Sequence, residues 1–250
     1  MAARRGRVKN KKRRGLLGRI VSFLLICAAI IAAILVFLKV NSIVVEGESR
    51  YTAEEIIDAS GVDVGDNMIF ISQSKIVTNI KSKLYYVNEV SVDRQYPDKL
   101  ILTVNDSIVA AYIEDTDGRW LLDVNCKLLE KEEKGGTSEA PRVTGIAPVK
   151  PKDGEMLTTE DSGNSKVAYL AEILTYASKQ GILDGITSIN MDNAANPQFR
   201  YLDNYNVKLG AYSEVEYKIQ MLKGVLEELG EGPNGVIDLS DTSRISFSPD

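Results

Sequence analysis

The strongest constraint on this chain is an uncharged apolar run of nineteen residues, 20–38, near its N-terminus. A helix of that length just crosses the roughly 30 Å hydrocarbon core of a bilayer. Nine basic residues and no acidic residue precede the run. Because basic flanks stay in the cytoplasm, the pattern predicts a cytoplasmic N-terminus, one transmembrane helix in contact with the lipid bilayer, and export of the remainder.

A cleaved signal peptide is the alternative interpretation of this run. The apolar core of such a peptide usually has about 7–15 residues and ends in a small-residue cleavage site. Here the run is longer, and it continues through VFLKV at 36–40, which offers no such site. The sequence therefore favours an uncleaved membrane anchor, with 1–19 as a basic cytoplasmic tail.

The charge of the remaining residues argues against one class of partner. Ten of the 30 basic residues and none of the 35 acidic ones lie in 1–39, which leaves 20 basic against 35 acidic residues, a net charge of −15, in the exported part. Nucleic-acid binding needs clustered Lys and Arg, so we expect no nucleic-acid partner. Cys27 lies in the span and Cys126 is alone outside it, which excludes an intramolecular disulfide in the exported part.

The first exported segment has the pattern of a small α+β domain. Its predicted elements are a strand at 43–47, helices that begin near Thr52 and Ile76, and strands at 87–94 and 100–104. Thr52 and Glu55 have the spacing of a capping box, which marks a helix start. The order strand, helix, helix, strand, strand predicts one small sheet with helices on one face.

From Ala110 onward, hairpins and longer helices replace that pattern. Asp115 to Gly118 reads as a turn between two strands, and not as a calcium loop, because no further ligand pair or glutamate follows. Segments 130–139 and 148–165 are polar and rich in Gly, Pro and Ser/Thr, which predicts exposed loops. The remaining predicted elements are a helix at 166–180, strands at 186–191, 198–202 and 205–209, a helix opened by a Ser213–Glu216 capping box, and strands at 236–239 and 244–247.

No catalytic, cofactor or metal site emerges from the sequence. The chain has no histidine, so it lacks the usual general base and the commonest metal ligand. No Ser-x-x-Lys stands in a helix-opening context, and Gly61 to Gly65 lacks the spacing of a phosphate-binding loop. We therefore expect no enzymatic activity and no cofactor.

Four stretches carry a resemblance to one known family. They are IVVEGESRYTAEEI (43–56), GVDVGDNMIFI (61–71), VNEVSVDRQYPDKLILTVND (87–106) and GVIDLSDTSRISF (235–247). The first three resemble an FtsQ-type POTRA domain, and the whole chain resembles the FtsQ/DivIB family of bacterial cell-division proteins. Two departures concern side-chain detail: Asn105 to Val109 replaces a Glu-Arg-x-Pro stretch, and Ser240-Asp241 stands where some relatives carry Arg-Tyr.

The resemblance implies the fold class and the domain order. It implies an α+β protein with a single N-terminal transmembrane helix over 20–38 and a small βααββ POTRA domain over 43–108. A mixed α/β "β domain" with a mostly antiparallel sheet follows over 109–247, and a short tail over 248–250.

The resemblance also implies a function and a contact surface. It implies a non-enzymatic scaffold of the divisome at the division septum, which links FtsL-like and FtsB/DivIC-like single-pass proteins. A final strand with an unpaired outer edge could accept a strand from a partner. The candidate partner-binding residues are Ser243, Arg244, Ile245, Ser246 and Phe247, with Arg244 available to an acidic residue.

The sequence leaves alternatives open. The last strand could be covered by its own domain, and the POTRA edge is a second candidate contact, for other division proteins such as other septal synthesis proteins. A POTRA-bearing export or assembly factor would need a C-terminal barrel or repeated POTRA units, and the sequence shows neither. A membrane-anchored cell-wall enzyme would turn over peptidoglycan or a lipid-linked precursor, which we do not expect of this chain.

Overall fold

The structure, a computed structural model, describes residues 11–160, 165–230 and 232–250, with side chains from residue 18 onward. These residues form two compact units, one within Met1–Ile80 and Glu89–Val104 and the other within Lys81–Asn88 and Asn105–Asp250. They are called here the N-terminal unit and the C-terminal unit. Residues 1–10 of the predicted cytoplasmic tail lie outside the described residues.

The N-terminal unit begins with one long helix, α1, which spans Lys11–Phe37. Its stretch Gly18–Phe37 is long and apolar enough to cross a membrane, and none of that stretch is buried by the protein. The predicted N-terminal apolar helix is therefore confirmed. It begins nine residues before the predicted span because the basic residues from Lys11 onward are themselves good helix formers.

A small sheet and two helices follow α1 in the predicted order. The elements are β1 (Ser42–Glu46), α2 (Ala53–Ser60), α3 (Gln73–Lys83), β2 (Val87–Gln95) and β3 (Lys99–Asp106). The sheet has the order β1-β3-β2, and β1 runs parallel to β3 with Ser42 opposite Lys99. Apolar side chains from the helices and the central strand are fully buried, namely Ile56, Ile76, Ile80, Leu100, Leu102 and Val104.

Helix α2 begins with the capping box that the sequence predicts. The Glu55 N–H donates to Thr52 Oγ1 (3.2 Å), and the Thr52 N–H donates to Glu55 Oε2 (2.8 Å). These bonds satisfy backbone donors at the helix start, and the bonds from Thr52 hold the pKa of Glu55 below its ordinary value. The helix ends at Gly61, whose φ of 70° lies in the left-handed region that glycine adopts without a steric penalty.

The C-terminal unit is built on one sheet of nine strands. Its elements are β4 (Ala111–Asp115), β5 (Gly118–Leu122), β6 (Leu128–Glu133), β7 (Arg142–Thr144), α4 (Ser165–Gln180), β8 (Ile186–Asn190), β9 (Gln198–Tyr201), β10 (Tyr205–Lys208), α5 (Val215–Leu229), β11 (Gly235–Asp238) and β12 (Ser246–Pro249). The strand order is β12-β11-β10-β9-β8-β7-β4-β5-β6. Neighbours are antiparallel except for the pairs β10/β11, β7/β8 and β4/β7, so the predicted mostly antiparallel sheet is confirmed.

Alternation along the strands separates an apolar face from a polar face. The buried side chains of β8 to β11 include Ile189, Phe199, Val207 and Ile237, and they belong to one core with the apolar stripes of α4 and α5. Intervening residues such as Arg200 are exposed, because successive side chains of a strand point to opposite faces. The C-terminal unit is therefore one sheet whose apolar side chains share a core with two helices.

A buried tyrosine links α4 to the segment before α5. The Tyr169 hydroxyl donates to the Gly210 carbonyl oxygen (3.1 Å), and its ring stacks on the Tyr212 ring with the centroids 4.7 Å apart. Burial, aided by the nearby negative charge of Glu172, raises the pKa of Tyr169 to about 12. The neutral hydroxyl is therefore favoured by the fold.

Two ion pairs of this sheet differ in their burial. Arg119 Nε and Glu132 Oε2 are 2.6 Å apart with mostly buried side chains. Arg142 and Glu114 form the second pair, in which both side chains are half exposed. Solvent screens an exposed pair, whereas removing one partner of a buried pair leaves the other charge uncompensated. The Arg119–Glu132 pair should therefore matter more for stability.

Two sequence-based predictions for the C-terminal unit are wrong. The segment 130–139 is not a loop throughout, because Leu128–Glu133 forms strand β6 and pairs with β5. Ser213 and Glu216 do not form a capping box, because Glu214 is the N-cap with a left-handed φ of 51° and no side-chain cap bond. In the predicted loop 148–165, residues 161–164 lie outside the described residues and Ser165 already belongs to α4.

Candidate partner-binding edge

Strand β12 lies at one end of the nine-stranded sheet, and its outer side faces no strand of the described residues. Its inner side pairs antiparallel with β11, with Ile237 opposite Phe247 and Val236 opposite Ser248. Just beyond the ladder, the Asp250 N–H donates to the Asn234 carbonyl oxygen (3.0 Å). The last strand of the chain is therefore an edge strand, as the sequence argument expects.

The register decides which backbone groups are available at the open edge. Hydrogen-bonded and non-hydrogen-bonded pairs alternate along an antiparallel ladder. Because Asp250 bonds to Asn234, the backbone groups of Ser248 and Ser246 point to β11, while those of Phe247 point outward. Pro249 also points outward, but proline has no N–H. The open edge of β12 therefore offers the N–H and C=O of Phe247 and only the C=O of Pro249.

Aromatic packing and one close backbone contact hold β12 against the sheet. The Phe247 ring packs edge-on to the Tyr205 ring, with the centroids 6.1 Å apart and an interplanar angle of 74°. Ile245 and Phe247 are both partly buried against the core. A Cβ at Gly235 would lie 2.5 Å from the Ser248 carbonyl oxygen, so glycine is needed for β12 to approach β11 this closely.

Aspartate side chains order the turn that precedes β12. Asp238 Oδ1 accepts from the Ser240 N–H (2.9 Å), and Asp241 Oδ1 accepts from both the N–H (2.9 Å) and the hydroxyl (2.6 Å) of Ser243. These bonds lower the pKa of both aspartates, and the nearby Arg244 charge adds to the effect on Asp241. The Arg244 N–H donates to the Asp241 carbonyl oxygen (3.0 Å), while the Arg244 side chain is exposed.

The five predicted partner-binding residues are contiguous but do not share one conformation. Ser246 and Phe247 lie on β12, whereas Ser243, Arg244 and Ile245 precede it. The predicted strand at 244–247 is therefore displaced by two residues, and Ser248 and Pro249 were missed as strand residues. The period-two alternation of Ile245, Phe247 and Pro249 continues through the real strand and was the available signal. Whether the five residues bind a partner stays a prediction.

The other sheet ends offer different surfaces. At the opposite end of the nine-stranded sheet, β6 carries Lys131, Glu132 and Glu133 in succession, and charges of this kind discourage strand addition. In the N-terminal unit, β1 and β2 are the edge strands of the small sheet, which includes the POTRA edge named as a second candidate contact. Among the described strands, β12 is the edge with the fewest charges.

The described residues contain no group of three or more His, Cys, Asp or Glu side chains that could hold a metal ion. Cys126 is fully buried, and burial raises the pKa of its thiol, so it is held in the unreactive protonated form. The chemistry that this geometry supports best is recognition through the backbone.

Family profiles match most of the chain that follows α1. The "POTRA domain, FtsQ-type" profile matches residues 38–106, and the "Cell division protein FtsQ/DivIB, C-terminal" profile matches residues 111–240. The second match alone covers just over half of the 250 residues. Both agree with the resemblance drawn from the sequence motifs.

Curated relatives are similar over nearly the whole chain. DivIB of Clostridium tetani is 23% identical over 207 residues, which are 82% of this chain and 77% of that protein. DivIB of Clostridium botulinum strain Loch Maree is 22% identical over 238 residues, 93% of this chain and 91% of that protein. FtsQ of Syntrophotalea carbinolica is 24% identical over 208 residues, 83% and 71% of the two chains.

A solved structure of the major extracytoplasmic domain of DivIB from Geobacillus stearothermophilus is also similar to this chain. The match has 17% sequence identity and a TM-score of 0.32, and it covers 50% of this chain and 95% of that chain. The assignment rests on the profiles and on the curated relatives. The POTRA-type profile matches directly after α1, the C-terminal profile matches the following residues, and the curated relatives include both DivIB and FtsQ proteins. The chain therefore belongs to the FtsQ/DivIB family of cell division proteins.

Proposed function

We propose that this protein is a non-enzymatic, single-pass membrane scaffold of the divisome, which links FtsL-like and FtsB/DivIC-like partners during septum formation. Membership of the FtsQ/DivIB family supports a role in cell division. Helix α1 supports membrane anchoring, and the basic residues before the apolar stretch favour a cytoplasmic N-terminus with both units outside the cytoplasm.

The observation that carries the proposal is the open edge of β12. A partner segment in extended conformation adds to such an edge through main-chain hydrogen bonds, and its side chains are then selected by the pockets they meet. At this edge the N–H and C=O of Phe247 point away from β11. A single strand from a partner could therefore extend the nine-stranded sheet.

Arg244 gives this edge its charge preference. Its side chain is exposed immediately before β12, and its backbone is fixed by the bond to Asp241. A rim charge of this kind steers association and selects a partner of opposite charge. We therefore expect the added strand to carry an Asp or Glu opposite Arg244, next to apolar residues that cover Ile245 and Phe247.

A scaffold role requires no chemical step from this chain. The chain has no histidine, which is the commonest general base in enzymes. Incubation of the purified protein with peptidoglycan and with a lipid-linked precursor should give no turnover. Measurable product from either substrate would replace the scaffold with an enzyme.

The cellular role can be tested by depletion and imaging. We expect depletion to give filamentous cells, because septum formation would stop while elongation continues, and we expect the fluorescently tagged full chain to band at mid-cell. Uniform distribution in the membrane together with normal septation after depletion would contradict a role in division.

The contact at β12 can be tested with matched charge reversals in the full chain. Arg244→Glu should sharply reduce co-purification of the partner proteins, because the rim charge would then repel an acidic partner. Lys134→Glu makes the same change of charge at an exposed position just after β6, at the opposite end of the sheet, and should leave co-purification unchanged. Equal effects of the two variants would exclude β12 as the specific site.

A further inference from the structure

The exposed apolar residues of the N-terminal unit outside α1 fall on two short segments, 64–70 and the turn at Tyr96. Outside α1, four large hydrophobic side chains are exposed among the described residues of this unit. They are Phe70 (75% exposed), Val64 (68%), Tyr96 (58%) and Ile69 (44%). Single exposed apolar residues are ordinary, but a cluster marks an interaction surface.

Three of these residues lie on a segment that is bonded to the end of α1. The Asn67 side-chain amide donates to the Leu35 carbonyl oxygen (2.8 Å), inside the apolar helix. The Met68 N–H donates to the Leu38 carbonyl oxygen (2.9 Å), and the Val40 N–H donates to the Asp66 carbonyl oxygen (2.8 Å). Segment 64–70 is therefore fixed beside the point where the chain leaves the apolar helix.

A tight turn at Asn67 keeps the next two residues close to the end of α1. The Ile69 N–H donates to Asn67 Oδ1 (2.9 Å), and the Phe70 N–H donates to the Asn67 carbonyl oxygen (3.0 Å). The same asparagine therefore bonds to the helix and folds the backbone of Ile69 and Phe70 close to it. Both side chains remain exposed.

The fourth residue lies on a different part of the chain, in a turn that is bonded to the chain just beyond α1. Tyr96 belongs to the turn between β2 and β3, and Asp98 of that turn accepts hydrogen bonds from the backbone (2.8 Å) and the side chain (3.0 Å) of Asn41. Asn41 lies four residues beyond Phe37, the last residue of α1. Two separate turns are therefore bonded to the chain at the end of α1 or just beyond it, and each exposes apolar side chains.

The length of the helix sets the depth of this surface. The stretch Gly18–Phe37 has 20 residues, and as a helix it is about 30 Å long, which equals the thickness of the hydrocarbon core. Leu35 is two residues before the end, about 3 Å along the axis. The amide of Asn67 therefore lies close to the hydrocarbon boundary, and the headgroup layer beyond that boundary is about 5–7 Å thick.

We propose that Val64, Ile69, Phe70 and Tyr96 form a membrane-contact rim that sits in the outer headgroup layer of the bilayer and fixes the orientation of the N-terminal unit on the membrane. Aromatic and aliphatic side chains partition into this layer, and tyrosine suits it because its ring is apolar and its hydroxyl is polar. The rim is continuous with the surface of α1, which supports lipid, and not a protein, as its occupant. The inference rests on the proposed membrane anchoring.

The depth of the rim can be measured with the full chain in phosphatidylcholine–phosphatidylglycerol vesicles. Phe70→Trp and Tyr96→Trp place a reporter at the two turns, and Glu46→Trp is the matched control at the far end of β1, about 13 Å from Ser42. The emission of the unsubstituted chain, which contains only the buried Trp120, is subtracted as the background. Lipids carrying bromine high on one acyl chain quench only tryptophans near the headgroup layer.

We expect loss of emission at positions 70 and 96 and none at position 46. Two reporters on different turns guard against the misfolding of one variant, and an unchanged circular dichroism spectrum confirms the fold. Equal quenching at the three positions, or none at 70 and 96, would overturn the rim. Quenching at 70 that requires an added protein would assign the surface to that protein and would also overturn it.

Flotation of the same vesicles separates this inference from the anchoring itself. A chain that stays with the vesicles after an alkaline wash but shows no quenching at 70 or 96 is anchored without a rim, so the inference fails and the proposed function stands. A chain that is removed by the wash is not anchored, and both proposals then fail.

Discussion

Replacement of Gly235 by alanine tests how β12 is held without changing any residue of the proposed partner-binding edge. The added Cβ would lie 2.5 Å from the Ser248 carbonyl oxygen and 2.6 Å from the nearest atom of the Phe247 ring. An ordinary carbon contact is about 3.5 Å, so β12 would have to move outward by about 1 Å. Overpacking of this kind costs about 1–3 kcal/mol.

A matched control is available in the same unit. Gly224 lies in the interior of α5, and a Cβ there would meet no atom within 4 Å. Gly224→Ala should therefore stabilise the unit by about 0.5–1 kcal/mol, because glycine costs conformational entropy in a helix. The same chemical change is thus expected to have opposite signs at the two positions.

Two measurements report the effect of each substitution on the C-terminal unit. Emission of Trp120, the only tryptophan, reports urea unfolding of the C-terminal unit, and hydrogen exchange reports whether the Ser246 and Ser248 amides stay paired with β11. We expect Gly235→Ala to lower the free energy of unfolding, to accelerate exchange at both serines and to weaken co-purification of partners. Unchanged exchange in Gly235→Ala, or destabilisation by Gly224→Ala, would refute the close-contact argument.

Three further predictions follow from contacts in the two units. Between pH 10 and about 12, Tyr169 ionises in the unfolded chain before it ionises in the folded chain, so about 2–3 kcal/mol of the free energy of unfolding should be lost over this range. Tyr169→Phe should reduce this loss in urea titrations at different pH values. The variant should also cost about 1 kcal/mol at neutral pH, because it removes the hydroxyl hydrogen bond. Glu132→Gln should lower the free energy of unfolding by about 1–3 kcal/mol, against less than about 1 kcal/mol for the half-exposed Glu114→Gln; similar values for both would contradict the burial argument. Thr52→Ala should raise the pKa of Glu55 only in part in an NMR titration, because the backbone N–H of residue 52 still donates to its carboxylate, and an unmoved pKa would argue against the hydroxyl bond of the capping box.

Local hydrogen bonding explains which helix starts could be predicted. The Thr52–Glu55 capping box was predictable because both bonds form within four residues. The same spacing at Ser213 failed because both residues have other partners: the Ser213 N–H donates to the Ala211 carbonyl oxygen (2.8 Å), and the Glu216 carboxylate interacts with Tyr176. Glu214 accepts a hydrogen bond from Thr242 (3.1 Å), and Lys218 donates to the Ala211 carbonyl oxygen (2.8 Å). A capping box is lost when its two residues form hydrogen bonds with other groups.

Strands β6 and β12 show where sequence patterns do not predict the bounds of a strand correctly. The charged run in β6 resembles a loop, and it becomes a strand because Leu128 and Leu129 are buried and Glu132 pairs with Arg119 on β5. At β12 the alternation was visible, but the turn built on Asp241 takes up the Arg244 N–H and delays the start of the strand. The need for glycine at 235 depends on a contact with a strand that is separated in sequence.

The missing N–H of Pro249 has a consequence for self-association. A bare sheet edge can recruit a second copy of the same chain, and successive copies can stack into fibrils. On β12 every second residue directs its backbone groups outward, and the residue that does so after Phe247 is Pro249, which has no N–H. A second copy docking here would find the Phe247 N–H as the one outward donor of β12, so an open-ended ladder of copies is disfavoured at this edge.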